Sequence, residues 1–138
     1  MACPFFMPTR RHEAELWQFR ARLPLGDGFT GFCSLRGESH LLSAEELKEH
    51  CNVGYAKHCP WLPAEREADS VRFSLAWERE DAIALHYSCE RDHLPADCGQ
   101  VEYSRAQCTW TKPHPNPCVQ RMAECYLESW SRKRATSN

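Results

Sequence analysis

The chain has 138 residues, of which 42% are apolar and 26% charged, and its formal net charge is -2. That length suits one domain able to bury about two-thirds of the surface its unfolded chain exposes. The near-neutral charge gives no electrostatic footprint for nucleic acid, and there is no repeat or low-complexity stretch. The exception is cysteine, of which there are nine. The start, Met1 to Arg11, lacks a basic segment followed by a long apolar run, so it reads as neither signal peptide nor membrane anchor. The expected compartment is therefore the cytoplasm. There a cysteine-dense chain binds metal more readily than it forms disulfides, and an odd count suits complete pairing poorly.

In chain order, residues 3–8, Cys-Pro-Phe-Phe-Met-Pro, form an apolar arm. A proline near each end favours extended backbone, and such an arm must dock to stay ordered. Arg10 to Gln18 reads as a short charged helical turn. Phe19, Ala21, Leu23 and Leu25 then alternate with Arg20 and Arg22, which is strand periodicity. Gly26-Asp27-Gly28 is a turn signal, and Phe29 to Leu35 reads as the returning strand of a hairpin. Gly31 and Gly37 allow close backbone approach beside Cys33.

Ser43-Ala44-Glu45-Glu46 is a capping-box signature opening a helix to about Cys51, with Gly54 as a left-handed stop. Ala64 to Ser70 is a polar connection. Val71, Phe73, Leu75 and Trp77 share one face of a strand, Glu78 to Asp81 make a charged turn, and Ile83, Leu85 and Tyr87 align in the next strand. Cys89 to Gly99 reads as an irregular loop, and Gln100 to Trp110 as a third strand. Asn116 as N-cap and Pro117 at the first helical position open a last helix through about Arg132. Residues 133–138 read as a frayed tail. The expected fold is α+β: a small single domain with antiparallel β-hairpins, a short central helix and a C-terminal helix. Residues 1–63 would be its cluster-binding half and 71–132 its hairpin and C-terminal helix.

The segment His50 to Pro63 carries the chemistry. Cys51 ends a helix and Cys59 lies beyond the glycine. A continued helix would set their Cα atoms about 12 Å apart, too far for a disulfide, whereas a bend lets them converge. Cys59-Pro60-Trp61-Leu62-Pro63 echoes Cys3-Pro4-Phe5-Phe6-Met7-Pro8. Cysteine followed by proline also ends the ligand runs of bacterial ferredoxins. The proline removes a donor near sulfur, and the aromatic residues can wall a cluster from water. Cys3, Cys33, Cys51 and Cys59 are thus the expected ligands of one [4Fe–4S] cluster. They are separated by 29, 17 and 7 residues, without the Cys-x-x-Cys of ferredoxins and zinc knuckles.

The expected role is one-electron transfer or redox sensing with a protein redox partner, rather than enzymatic catalysis. Four thiolate ligands leave no open iron for a substrate. No phosphate loop, Gly-x-Ser-x-Gly or His-Glu-x-x-His is present. Two alternatives stand beside this: a zinc-stabilised protein-binding module, in which His58 could join Cys51 and Cys59, and a metal-free accessory subunit of a larger enzyme. His50 and His58 otherwise read as groups hydrogen-bonding to sulfur or carbonyls. Cys89, Cys98, Cys108, Cys118 and Cys125 read as buried thiols before a second metal site with His93 or His114. Glu45, Glu46 and Glu49 read as a solvated helix face.

Overall fold

The computed structural model describes residues 1–11, 23–53 and 59–137. The fold is α+β, with a two-stranded and a four-stranded antiparallel sheet, a short central helix and a long C-terminal helix.

The four-stranded sheet runs in sequence order: β3 (Ser70–Glu78), β4 (Ala82–Arg91), β5 (Leu94–Ser104) and β6 (Thr109–Lys112). Alternation decides which face is covered. Val71, Phe73, Leu85, Cys89 and Val101 are buried on one face. They join Val119, Met122, Ala123 and Cys125 of α2 (Pro117–Ser137) in the core. Each such Val, Leu, Phe or Met contributes roughly 1.5–3 kcal/mol by leaving water. A bulge between Leu75 and Trp77 breaks the expected alternation, and Leu75 is left exposed.

Two expectations for this sheet are corrected. Residues 89–99 are not an irregular loop, because β4 runs to Arg91 and β5 starts at Leu94. The two-residue connection, Asp92-His93, has φ of 50° and 65°. Two positive φ values match the twist of a tight hairpin, and Asp and His are among the residues that tolerate them without glycine. Pro95 is accommodated because β6 pairs only with Glu102 to Ser104, so this end of β5 has one neighbour. Residues 100–110 are likewise not one strand. They divide at a turn where exposed Cys108 has φ 52°.

Asn116 caps α2 as expected, its Oδ1 accepting from the N–H groups of Cys118 (2.9 Å) and Val119 (3.2 Å). The helix runs past Arg132 to Ser137, so residues 133–137 are not a frayed tail. Arg132 pairs with buried Asp27, Lys133 donates to the Gly26 carbonyl, and Arg134 pairs with Glu78. These contacts fasten the 23–28 turn and the β3 end to the last turns of α2. Among the described residues, no helix is long and apolar enough to cross a membrane.

The smaller sheet departs most from expectation. The strand β2 (Phe29–Cys33) pairs with the N-terminal arm, β1 (Phe6–Arg11), and its expected partner, residues 19–25, lies mostly outside the described residues. Residues 12–22, with most of the expected charged turn and most of the expected strand, lie outside the described residues; Arg10 and Arg11, expected to open that turn, instead end β1, and Leu23 to Asp27 form bends and a turn. The arm docks for a specific reason. A Cβ built on Gly31 would sit 2.0 Å from the Met7 carbonyl oxygen, so only glycine lets the two backbones meet. Arg121 of α2 then donates to the carbonyls of Pro8 and Thr9, both at 3.0 Å, and holds β1 against the helix.

Candidate metal centre

Cys3 lies just ahead of β1, and its position is set by backbone bonds on both sides. Its N–H donates to the Cys51 carbonyl (3.0 Å), and its carbonyl accepts from the Phe6 N–H (3.1 Å). Its neighbour Ala2 exchanges two bonds with Val71, at 2.7 and 2.8 Å, which ties the arm to the edge of the larger sheet. Cys33 ends β2 opposite Phe6. Its carbonyl accepts from the N–H groups of Arg36 and Gly37, closing a turn in which Gly37 has φ 88°.

Cys51 ends the central helix. The capping box is present: the Ser43 hydroxyl accepts from the Glu46 N–H, and the Glu46 carboxylate accepts from the Ser43 N–H, both at 3.1 Å. The first turn, α1 (Ala44–Glu46), then widens into a π turn over Leu47–Cys51. There the Asn52 N–H reaches the Leu47 carbonyl at 2.9 Å, five residues back. The wider turn buries Leu47 and Cys51 together.

Asn52, 1% exposed, holds this end in place. Its side chain accepts from the Phe29 N–H (2.9 Å) and donates to the carbonyls of Phe29 (2.9 Å) and Leu47 (2.8 Å). One amide thereby joins the helix end to the first residue of β2. Cys59 is half-buried beyond it, its carbonyl accepting from the Leu62 N–H at 3.2 Å. Gly54 and His58 lie outside the described residues.

All four expected cysteines line one cavity of about 20 Å³. Phe5, Phe6, Leu42 and Leu62 form its apolar wall, Leu35 and Trp61 its partly exposed rim, and Arg36, Glu46 and His50 its polar lining. Burial raises the Cys3 thiol to about 12; the Phe5 N–H opposes the rise, and Cys33 and Cys59 add to it. The Cys51 thiol is also pushed up, by burial first and then by Cys3, Cys33, Cys59 and Glu46. Cys3 and Cys51 are therefore protonated near neutral pH and poorly nucleophilic. A cation among the thiols removes that penalty, because metal binding releases the protons and neutralises mutual repulsion.

The rim is tied down by charge. The Arg36 guanidinium pairs with Glu46, lies 4.4 Å from the centre of the Trp61 ring and has one nitrogen 3.4 Å from His40 Nδ1. Glu46 is thus not merely part of a solvated face. Its carboxyl is held below the usual range, first by the Ser43 N–H and then, against some desolvation, by Arg36. Neither Asn52 nor Arg36 announces itself in the sequence, since both act on chain segments brought together only by folding.

The remaining cysteines do not assemble a comparable group. Cys98 pairs with Ser88 and Cys89 with Asp97, so Cys89 and Cys98 point to opposite faces of the sheet. Cys98 and Cys108 are exposed, whereas Cys89, Cys118 and Cys125 are buried. Burial raises the Cys125 thiol to about 12 and the Cys89 thiol to about 11. His93 is exposed in the β4–β5 turn, and His114 packs edge-on against Tyr87 at 4.6 Å. Among the described residues, the four cavity cysteines included, no three His, Cys, Asp or Glu side chains form a group placed to hold a metal ion. Compared with known protein families, characterised proteins and solved structures, the chain matches none.

Proposed function

We propose that this chain binds one [4Fe–4S] cluster through Cys3, Cys33, Cys51 and Cys59 and uses it for one-electron transfer or redox sensing with a protein partner. The observation that carries this reading is the convergence of four cysteines from an arm, a strand end, a helix end and a connection on one apolar-walled cavity. Cysteine thiolates in a dry, aromatic shell suit iron–sulfur ligation, and hydrogen bonds and burial around the sulfurs then set the potential. Raised Cys3 and Cys51 pKa values weigh against a nucleophilic cysteine.

A cubane requires the four sulfurs to spread. Cys3 and Cys59 lie outside the strands and helices, whereas Cys33 and Cys51 end them. The narrowness of the cavity favours a second reading, a zinc-stabilised binding module. One zinc ion at Zn–S distances near 2.3 Å draws its ligands to within about 3.8 Å of each other, and His58, which could join Cys51 and Cys59 in that reading, lies outside the described residues.

Iron, sulfide and zinc analysis of protein purified without oxygen tests the proposal. About four irons and four sulfides per chain, with a brown chromophore, are expected from the cluster stoichiometry. Colourless protein with stoichiometric zinc would overturn it in favour of the binding module.

A further inference from the structure

Arg36 is the one permanently charged cation among the described residues lining the cysteine cavity. Its side chain is only 14% exposed, and three contacts hold it: the Glu46 carboxylate, the Trp61 ring face at 4.4 Å and His40 Nδ1 at 3.4 Å. A side chain so fixed is not there to reach solvent. Glu46 is itself held by the capping box, so the guanidinium is anchored to the helix that carries Cys51. Charge and countercharge thus both border the cavity, in partly dry surroundings where screening is weak.

We propose that the Arg36–Glu46 pair tunes the reduction potential of the centre held by the four cysteines, Arg36 as the positioning cation and Glu46 as its counterweight. This rests on the cluster reading above. Four thiolates make the oxidised cluster anionic, and accepting one electron makes it more so by one charge. A fixed guanidinium at the cavity wall stabilises the reduced form more than the oxidised one, which raises the potential. A carboxylate there does the reverse, and a neutral substitution of each moves the potential in opposite directions.

The test uses the full chain reconstituted with iron and sulfide. Midpoint potentials are read by dithionite titration, with the electron coming from dithionite and the cluster signal followed by absorbance and EPR. Arg36→Gln is expected to lower the potential and Glu46→Gln to raise it, while Arg36→Lys, which keeps the charge, stays near wild type. Loosening of the structure would expose the cluster in both neutral variants and move them together, so shifts of one sign overturn the proposal. Unchanged potentials in iron-loaded variants overturn it too, with the cluster reading left standing. Wild-type protein that takes up no iron overturns both. Should Arg36→Gln fail to fold, the upward shift in Glu46→Gln still decides: its absence overturns the proposal.

Discussion

The two halves of this molecule are stabilised in different ways. From Ser70 onward, four strands in sequence order and a long capped helix cover one another, and each element follows from its own residues. Before residue 63, the described residues hold two short strands, one helical turn and one π turn. The first half is held by single devices, namely the Gly31 close approach, the Asn52 amide, the Ala2–Val71 bridge and Arg121 reaching across from α2. A half held by such single devices is the half in which a bound metal would add most, since binding free energy there is folding free energy.

The largest expected effect breaks the comparison at the centre itself. Cys51→Ser should abolish the iron and sulfide content, whereas Cys125→Ser, in the core of the other half, should retain it. Bleaching by Cys125→Ser with Cys51→Ser intact would mean that other cysteines hold the cluster.

Gly31→Ala comes next. Its methyl would meet the Met7 carbonyl at 2.0 Å, where backbone has to yield. A loss of about 3 kcal/mol, the upper end of overpacking costs, is expected, read by urea denaturation. Hydrogen exchange should speed up in β1 and β2 and stay slow in β4 and β5; uniform speeding would show that the halves do not come apart.

Asn52→Ala leaves the buried Phe29 N–H and carbonyl without their partners. It should cost roughly 2 kcal/mol and weaken iron retention, while Asn52→Asp restores only the acceptor side. A variant as stable as wild type would remove Asn52 from the list of devices.

A smaller effect depends on pH. In the metal-free chain Cys3 stays protonated up to about 12, against an ordinary value of 9.0. The folded state therefore holds its proton where the unfolded state has lost it, so stability is fully present below about pH 9 and falls as pH rises through the window toward 12. The cluster-loaded protein, with its thiols already ionised, should show a weaker decline. The same slope in both forms would count against Cys3 and Cys51, both raised by burial, as ligands. Smallest of all, Cys98→Ser should change stability by no more than about 0.5 kcal/mol, because the side chain is exposed.

How much could be read in advance differs between the halves for a physical reason. The capping box at Ser43, the Asn116-Pro117 helix start and the β3–β4 hairpin rest on neighbours within a few residues, so local chemistry decides them. The β4–β5 turn was hidden because Asp92-His93 reaches positive φ without glycine, and Pro95 makes a genuine strand resemble a loop. The pairing of β2 with the arm was not legible because nothing local to either strand marks it. What selected the arm was Gly31 fitting under Met7 together with Arg121, which lies more than a hundred residues away, bonded to Pro8 and Thr9.

Residue order by itself determined the α+β composition, the ends of the two helices that carry caps, and the choice of four cysteines as a set, two of them marked by a following proline and aromatic residues. Only the tertiary structure decided that these four line one cavity, that Asn52 joins two of their elements, and that Arg36 and Glu46 meet at its edge. The reason is one of range. A cap or a turn is settled by hydrogen bonds a few residues long, whereas a site built from an arm, a strand end, a helix end and a connection exists only after burial of the core has brought them together.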